Sequence, residues 1–173
     1  MIEIKITQEA DAVVLALLGR QTYAESHGHF ITEKNDLLKY LDTYYSVAQI
    51  RQDLANPNQL HYIVYVNELP VGYAKIVLNA KHESVNSIHN GRLERIYILS
   101  DFISLKLGQQ LLSFVEAQAK TLKLDTLWLS VYIENKRAIR FYEKNEFENV
   151  GELNFMVNGK PYENMVFSKK ILA

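Results

Sequence analysis

The stretch Leu93-Glu94-Arg95-Ile96-Tyr97-Ile98-Leu99-Ser100-Asp101-Phe102-Ile103-Ser104-Leu105-Lys106-Leu107-Gly108-Gln109-Gln110-Leu111-Leu112 reads as a strand that passes through a short loop straight into a helix. The strand is expected over Arg92–Leu99. Leu107, Leu111, Leu112, Val115 and Ala119 recur at helical spacing and predict a helix over Lys106–Leu122. Leu127–Ile133 then reads as a second strand. Strand, helix and strand in succession require a parallel pair joined by a right-handed crossover. That step separates this chain from all-β and all-α folds.

Outward from it, downstream, Asn135–Asn145 predicts a helix, and two last strands flank the Asn158-Gly159 turn, the strongest short-range hairpin signal. Upstream, His61–Val66 and Val71–Leu78 form a hairpin about Asn67-Glu68-Leu69-Pro70. Helices are expected over Lys34–Tyr44 and Ser46–Leu54, the second stopped by Asn56-Pro57-Asn58. Near the start, Ile2, Ile4 and Ile6 share one face of a strand. Thr7 would cap a helix whose apolar face carries Ala10, Val13, Val14, Leu17 and Leu18, with a loop around Ser26–Phe30. The class is therefore α+β (mixed α/β), with one central, mostly antiparallel sheet and no linker or repeat to divide residues 1–173.

Composition sets the outer limits. The chain has 173 residues, a formal charge of −1, 48% apolar and 23% charged residues, which suits one packed domain and argues against disorder. With no cysteine there is no thiol nucleophile, disulfide or zinc finger. Near-neutral charge without a basic block disfavours nucleic acid as partner. The opening Met1–Ile6 lacks the basic-then-apolar order of a signal peptide, and the apolar run Ala12–Leu18 is far short of the ~20 residues of a membrane span. No membrane association and a cytoplasmic location are the expectation.

Two places carry chemistry. A helix that starts directly after a strand presents unpaired N–H groups and a dipole to a phosphate or pyrophosphate, although with Gly108 as its one glycine the bare spacing also fits a loop without a ligand. In Trp128-Leu129-Ser130-Val131-Tyr132-Ile133-Glu134-Asn135 a strand ends at an asparagine that caps the next helix. Ala138 and Phe141 follow at helical spacing, and Tyr142 lies two turns beyond Asn135.

These segments, in this order, resemble the GCN5-related N-acetyltransferase superfamily. The residues that match are the strand Leu93–Ile98, Gly108 of the phosphate loop, and Asn135-x-x-Ala138-x-x-Phe141-Tyr142-Glu143-Lys144 followed by Phe147. The resemblance covers nearly the whole chain. Tyr40-Leu41-Asp42 through Leu54–Asn58, with Val71–Lys75, looks more narrowly like the PaiA-like branch, which includes polyamine acetyltransferases. The loop departs from the family's usual Gln/Arg-x-x-Gly-x-Gly/Ala, with Ile103, Lys106 and Gly108 at those positions, and Ser104 and Glu146 also stand where glycine is frequent.

The resemblance implies a sheet of about seven strands flanked by helices, with a splayed parallel pair, and acetyl-CoA as co-substrate without a metal. The pantetheine arm would lie along Ile96, Tyr97 and Ile98, with the Ile98 N–H polarising the thioester carbonyl. The pyrophosphate would meet the N–H groups of Ile103, Ser104, Leu105, Lys106, Leu107, Gly108 and Gln109, while Asn135 holds the coenzyme near its reactive end. Tyr142 would be the general acid and Glu94 the base, direct or through water, although an ion pair or solvated carboxylate explains Glu94 equally well. The acceptor would be a primary amine, a polyamine or other small amine, attacking directly in a ternary complex. Two alternatives stay open: a degenerate coenzyme-binding protein without catalysis, and transfer to a protein or peptide. His27 and His29 fall in the loop such proteins use for the acceptor, a histidine pair more often incidental than metal-binding. Tyr23, Tyr44, Tyr45, Tyr62 and Tyr73 are pocket or packing residues, and Glu25, Glu33, Asp36 and Asp42 would receive a cationic amine or form a solvated face. Pairing of the last strands across a two-fold axis would make a homodimer, which the residues leave undecided.

Overall fold

The computed structural model describes residues 1–172. In chain order its elements are β1 (Ile2–Ile6), a 3-10 turn (Glu9–Asp11), α1 (Ala12–His27), α2 (Lys34–Tyr44), α3 (Val47–Ala55), β2 (Gln59–Val66) and β3 (Leu69–Leu78). There follow β4 (Asn90–Ile98), a 3-10 turn (Ser100–Leu105), α4 (Leu107–Thr121), β5 (Thr126–Tyr132), α5 (Lys136–Lys144), β6 (Glu148–Val157) and β7 (Lys160–Lys170). The seven strands are ordered β1-β2-β3-β4-β5-β7-β6 with one parallel pair, the mixed α+β class expected. That pair, β4 with β5, is registered over Asn90↔Thr126, Gly91↔Leu127 and Arg92↔Trp128, and the register stops there while β4 continues to Ile98 and β5 to Tyr132. The chain forms two compact units, one of Met1–Ile76 with Arg95–Val115, the other of Val77–Glu94 with the residues from Glu116 on.

In the first unit β1 runs antiparallel to β2 from Ile2↔Val66 to Ile6↔Tyr62. Ile2 and Ile6 do share a face, but both are exposed on this short edge strand. Asn67 and Glu68 both take positive φ (48° and 69°), which makes the β2–β3 hairpin a two-residue turn whose twist suits the strands. The helix cap differs from expectation: Gln8, not Thr7, precedes the first turn, its N–H donating to Asp11 Oδ2 at 2.8 Å, and a 3-10 turn comes before α1. The buried face of α1 also differs. Leu15, Ala16, Leu18, Gly19, Thr22 and Tyr23 are buried, whereas Val13, Val14 and Leu17 are exposed. Gly19 decides this rotation: a Cβ there would lie 2.3 Å from Cδ1 of the buried Tyr45, so only glycine lets the helix seat on that ring. α1 also runs on to His27, where a loop was expected from Ser26. Ser46 caps α3 by accepting from the Gln49 N–H at 3.2 Å, and Asp53 of α3 holds Lys75 of β3 in a buried ion pair at 2.9 Å, with Gln49 Nε2 on the other oxygen at 2.8 Å.

In the second unit Trp128, Val85 and Val166 form an apolar cluster joined by Ala80 and Leu153. Trp128 Nε1 donates to the Ala80 carbonyl at 2.7 Å and Arg92 lies over the indole at 4.9 Å, which ties the irregular segment after β3 to β5. β7 is antiparallel to both β5 and β6, with an irregularity in β6 between Asn149 and Gly151. The β6–β7 turn is Asn158-Gly159, with φ of 48° and 79°, as that dipeptide demands.

Candidate active site

The first unit holds the end of β4 and the chain that leaves it. The Leu99 N–H donates to the Val71 carbonyl of β3 at 2.8 Å. Successive N–H groups of an extended strand point to opposite edges, so the Ile98 N–H is directed away from β3. β3 comes this close because it carries Gly72, where a Cβ would lie 2.4 Å from Ile98 Cδ1 and 2.6 Å from the Tyr97 carbonyl oxygen.

After Leu99 the 3-10 turn Ser100–Leu105 folds back, with the Phe102 N–H donating to the Leu99 carbonyl at 2.9 Å. Lys106 then takes a left-handed conformation, φ 56° and ψ 25°. It is therefore a break between two helical segments, not the first residue of a helix as expected from spacing. The break explains why glycine suits this position and gives α4 a fresh N-terminus at Leu107. Lys106 donates its N–H to Ile103 O at 3.2 Å, and its own carbonyl accepts from Gln109 and Gln110 at 3.2 and 3.3 Å. Leu107 and Gly108 head the first turn of a 15-residue helix, where N–H groups have no intrahelical partner. A Cβ on Gly108 would meet nothing within 4 Å, so the space beside this residue of the turn is open.

Behind β4 lies a feature the sequence did not disclose. Tyr23 stacks on His27 (4.7 Å between ring centroids) and on Tyr40 (4.6 Å), and meets Tyr97 edge-on at 6.2 Å. Tyr73 donates to the Tyr45 hydroxyl at 3.2 Å, and the buried Arg95 guanidinium lies 4.3 Å from the Tyr45 ring centroid. Burial pushes the phenols of Tyr23, Tyr45, Tyr73 and Tyr97 above their ordinary range, against the pull of Arg95. Burial also lowers His27 to about 4, with His29 nearby adding to the effect, so its ring is neutral at physiological pH. Of the tyrosines proposed for a pocket, Tyr23, Tyr45, Tyr62 and Tyr73 are buried and Tyr44 is exposed. The acidic residues divide similarly: Asp42 pairs with Arg20 at 2.8 Å, and Glu25 accepts from the Ser100 N–H at 2.8 Å.

The second unit holds Asn135, Tyr142 and Glu94. Asn135 caps α5, its Oδ1 accepting from the Ala138 N–H at 3.1 Å, which leaves Nδ2 as the end available to a ligand. Tyr142 is buried on α5, edge-on to Phe141 at 5.2 Å and to Phe147 at 5.6 Å, and burial raises its phenol above the ordinary value. Glu94 is half-buried on β4. Glu146, just past α5, has φ 64°, a helix-ending conformation that favours glycine. Among the described residues no group of three or more His, Asp or Glu could hold a metal ion, and no helix is long and apolar enough to cross a membrane.

Comparison with known proteins bears on the fold and on the family. The solved PaiA N-acetyltransferase of Thermoplasma acidophilum, in complex with coenzyme A, superposes with a TM-score of 0.76 at 19% identity, covering 98% of this chain and 99% of that one. A ribosomal-protein alanine N-acetyltransferase from Escherichia coli gives 0.71 at 16% identity, covering 99% and 94%. At such identities the likeness speaks to the fold alone. A Bacillus subtilis (strain 168) protein named as a candidate acetyltransferase is 26% identical over 158 residues, 91% of this chain and 90% of that protein. The sequence model of the acetyltransferase (GNAT) family matches residues 23–147, a span that holds β4, the left-handed Lys106, the first turn of α4, Asn135 and Tyr142, and the chain accordingly belongs to that family as an N-acetyltransferase.

Proposed function

We propose that this protein transfers the acetyl group of acetyl-CoA to a primary amine, a polyamine or other small amine, by direct attack in a ternary complex, with residues 1–173 acting as one catalytic domain. The observation that carries the reading is the direction of the Ile98 N–H, which the Leu99–Val71 bond turns away from β3. A donor held there by the sheet needs no reorganisation when negative charge develops on the thioester oxygen, and such a donor is worth about 3–4 kcal/mol. The coenzyme's amide-bearing arm would run along Ile96–Ile98, and its pyrophosphate would take the Leu107 and Gly108 N–H groups, with open space beside the Gly108 Cα.

The chemistry needs three proton and charge movements. An alkylammonium of pKa ~10.4 must lose a proton before its nitrogen can attack. Glu94, directly or through water, would take that proton. The amine nitrogen then bonds to the acyl carbon while Ile98 N–H holds the oxygen, and the carbon–sulfur bond breaks. Tyr142 would give its phenolic proton to the departing sulfur and take back the second proton that the nitrogen sheds on becoming an amide, and burial keeps that phenol protonated throughout the neutral range. Asn135 Nδ2 would hold the coenzyme beside that step.

The test is thiol release from acetyl-CoA with a panel of amines, run beside a thermal shift with acetyl-CoA and free CoA. Release with spermidine or another small amine, and a melting temperature raised by either coenzyme, are expected. Release with a peptide alone would replace the small-amine acceptor with a protein one. A thermal shift without release from any amine would leave a coenzyme-binding protein and remove catalysis.

A further inference from the structure

Glu25 lies on the last turns of α1, 75 residues before the segment it holds. Its Oε2 accepts from the Ser100 N–H at 2.8 Å, and its Oε1 accepts from Gln21 Nε2, also at 2.8 Å. Ser100 is the first residue of the 3-10 turn that follows β4, so its N–H is one of the donors a helical turn leaves unmatched. A carboxylate is a strong acceptor for such a group, because it adds charge to the hydrogen bond and meets the positive end of the turn. Leu99, one residue earlier, is held from β3 through the Val71 carbonyl. The chain leaving β4 is thus pinned at two successive N–H groups, by a strand and by a helix.

The pinned residues stand between the two groups proposed to contact the coenzyme. Ile98 precedes them by one residue, and the turn they open leads through Lys106 to Leu107 and Gly108. The same end of α1 also packs on β4 through rings, His27 meeting Tyr97 edge-on at 5.6 Å.

We propose that Glu25 is a positioning residue for acetyl transfer: by holding the Ser100 N–H it sets the spacing between the Ile98 N–H and the first turn of α4, so that one coenzyme engages both. The proposal rests on the acetyl-CoA reading above. It assigns Glu25 a role different from receiving the amine, since each carboxylate oxygen already has a protein donor.

Glu25→Ala and Glu25→Gln test it together, because glutamine keeps an oxygen that can accept from Ser100 while losing the charge. With Glu25→Ala the KM for acetyl-CoA and the Kd for CoA should rise about fivefold, the size expected for losing one exposed cap, with the amine KM within about twofold of wild type. Glu25→Gln should restore the coenzyme KM to within about twofold. Equal coenzyme KM values in wild type and Glu25→Ala, with the wild type binding, would overturn the proposal and leave the acetyl-CoA reading intact. A rise in the amine KM with both variants would overturn it too, by making Glu25 a reader of the acceptor's charge. If wild type itself shows no binding of acetyl-CoA, the reading fails and the positioning role falls with it.

Discussion

Tyr142→Phe separates the chemistry from the fold. The ring of Tyr142 is wedged edge-on between Phe141 and Phe147, and both contacts survive in phenylalanine. Losing the hydroxyl should change stability by no more than about 0.5 kcal/mol, since the aromatic packing is kept. The rate should respond far more. General acid catalysis contributes ~10²–10⁴-fold where a poor leaving group must be protonated, but a thiolate with a conjugate acid near 8.5 departs with less help. The expected loss in kcat is therefore about 10–100-fold, with the Kd for coenzyme unchanged. In the wild type, the buried phenol stays protonated beyond its ordinary value near 10, so kcat should show no alkaline loss from this group below about pH 10. Thiol release under saturating acetyl-CoA and amine, followed from pH 6 to about 10, reads both quantities. An unchanged kcat in a variant with an unchanged melting temperature would refute the role of Tyr142 as acid.

Three further outcomes follow from the packing. Gly19→Ala gains about 1 kcal/mol of helix propensity, yet its Cβ would sit 2.3 Å from Tyr45 Cδ1, and overpacking a full core costs about 1–3 kcal/mol. Urea denaturation should show net loss, and a stabilised variant would contradict the seating of α1 on that ring. Lys75→Ala strands Asp53 in a site where both partners are buried and should destabilise by about 3–5 kcal/mol. Lys75→Met combined with Asp53→Leu should recover most of that, and equal losses in single and double variants would argue against the pair. His27 titrates near 4 in the folded chain and near 6.5 when unfolded, so the unfolded state binds more protons between those values. Stability should be constant above about pH 6.5 and fall by up to about 3 kcal/mol as pH drops toward 4. His27→Gln should flatten that limb in urea midpoints at pH 7 and 4.5, and an unaltered acid limb would refute the burial of the imidazole.

Much of the fold was legible because its signals are local. The Asn158-Gly159 hairpin, the Asn135 cap and the bounds of α2 all depend on residues within a few positions of one another. The strand–helix–strand step needed only periodicity and the handedness of crossovers. What escaped depends on distant partners. The apolar positions of α1 fit two different faces, and the choice between them is made by Tyr45, 26 residues on from Gly19. Lys106 sits in a helical pattern, and spacing cannot reveal a left-handed φ in a residue that helices accept. The position of glycine in related loops was the one available signal for it. Arg95 is one polar residue within a strand pattern, and it proves to be a buried cation 4.3 Å from the Tyr45 ring, in a cluster of tyrosines drawn from α1, β3, β4 and the end of α2. Glu25 read as one of several acids, because nothing near it in the sequence announces Ser100 as its partner.

The central claim concerns particular backbone N–H groups, and it can be measured at those groups. Acetyl-CoA titrated into ¹⁵N-labelled protein should shift the amide resonances of Ile98, Leu107 and Gly108 together, along one saturation curve. Shifts that saturate while these three amides stay in place would contradict the account.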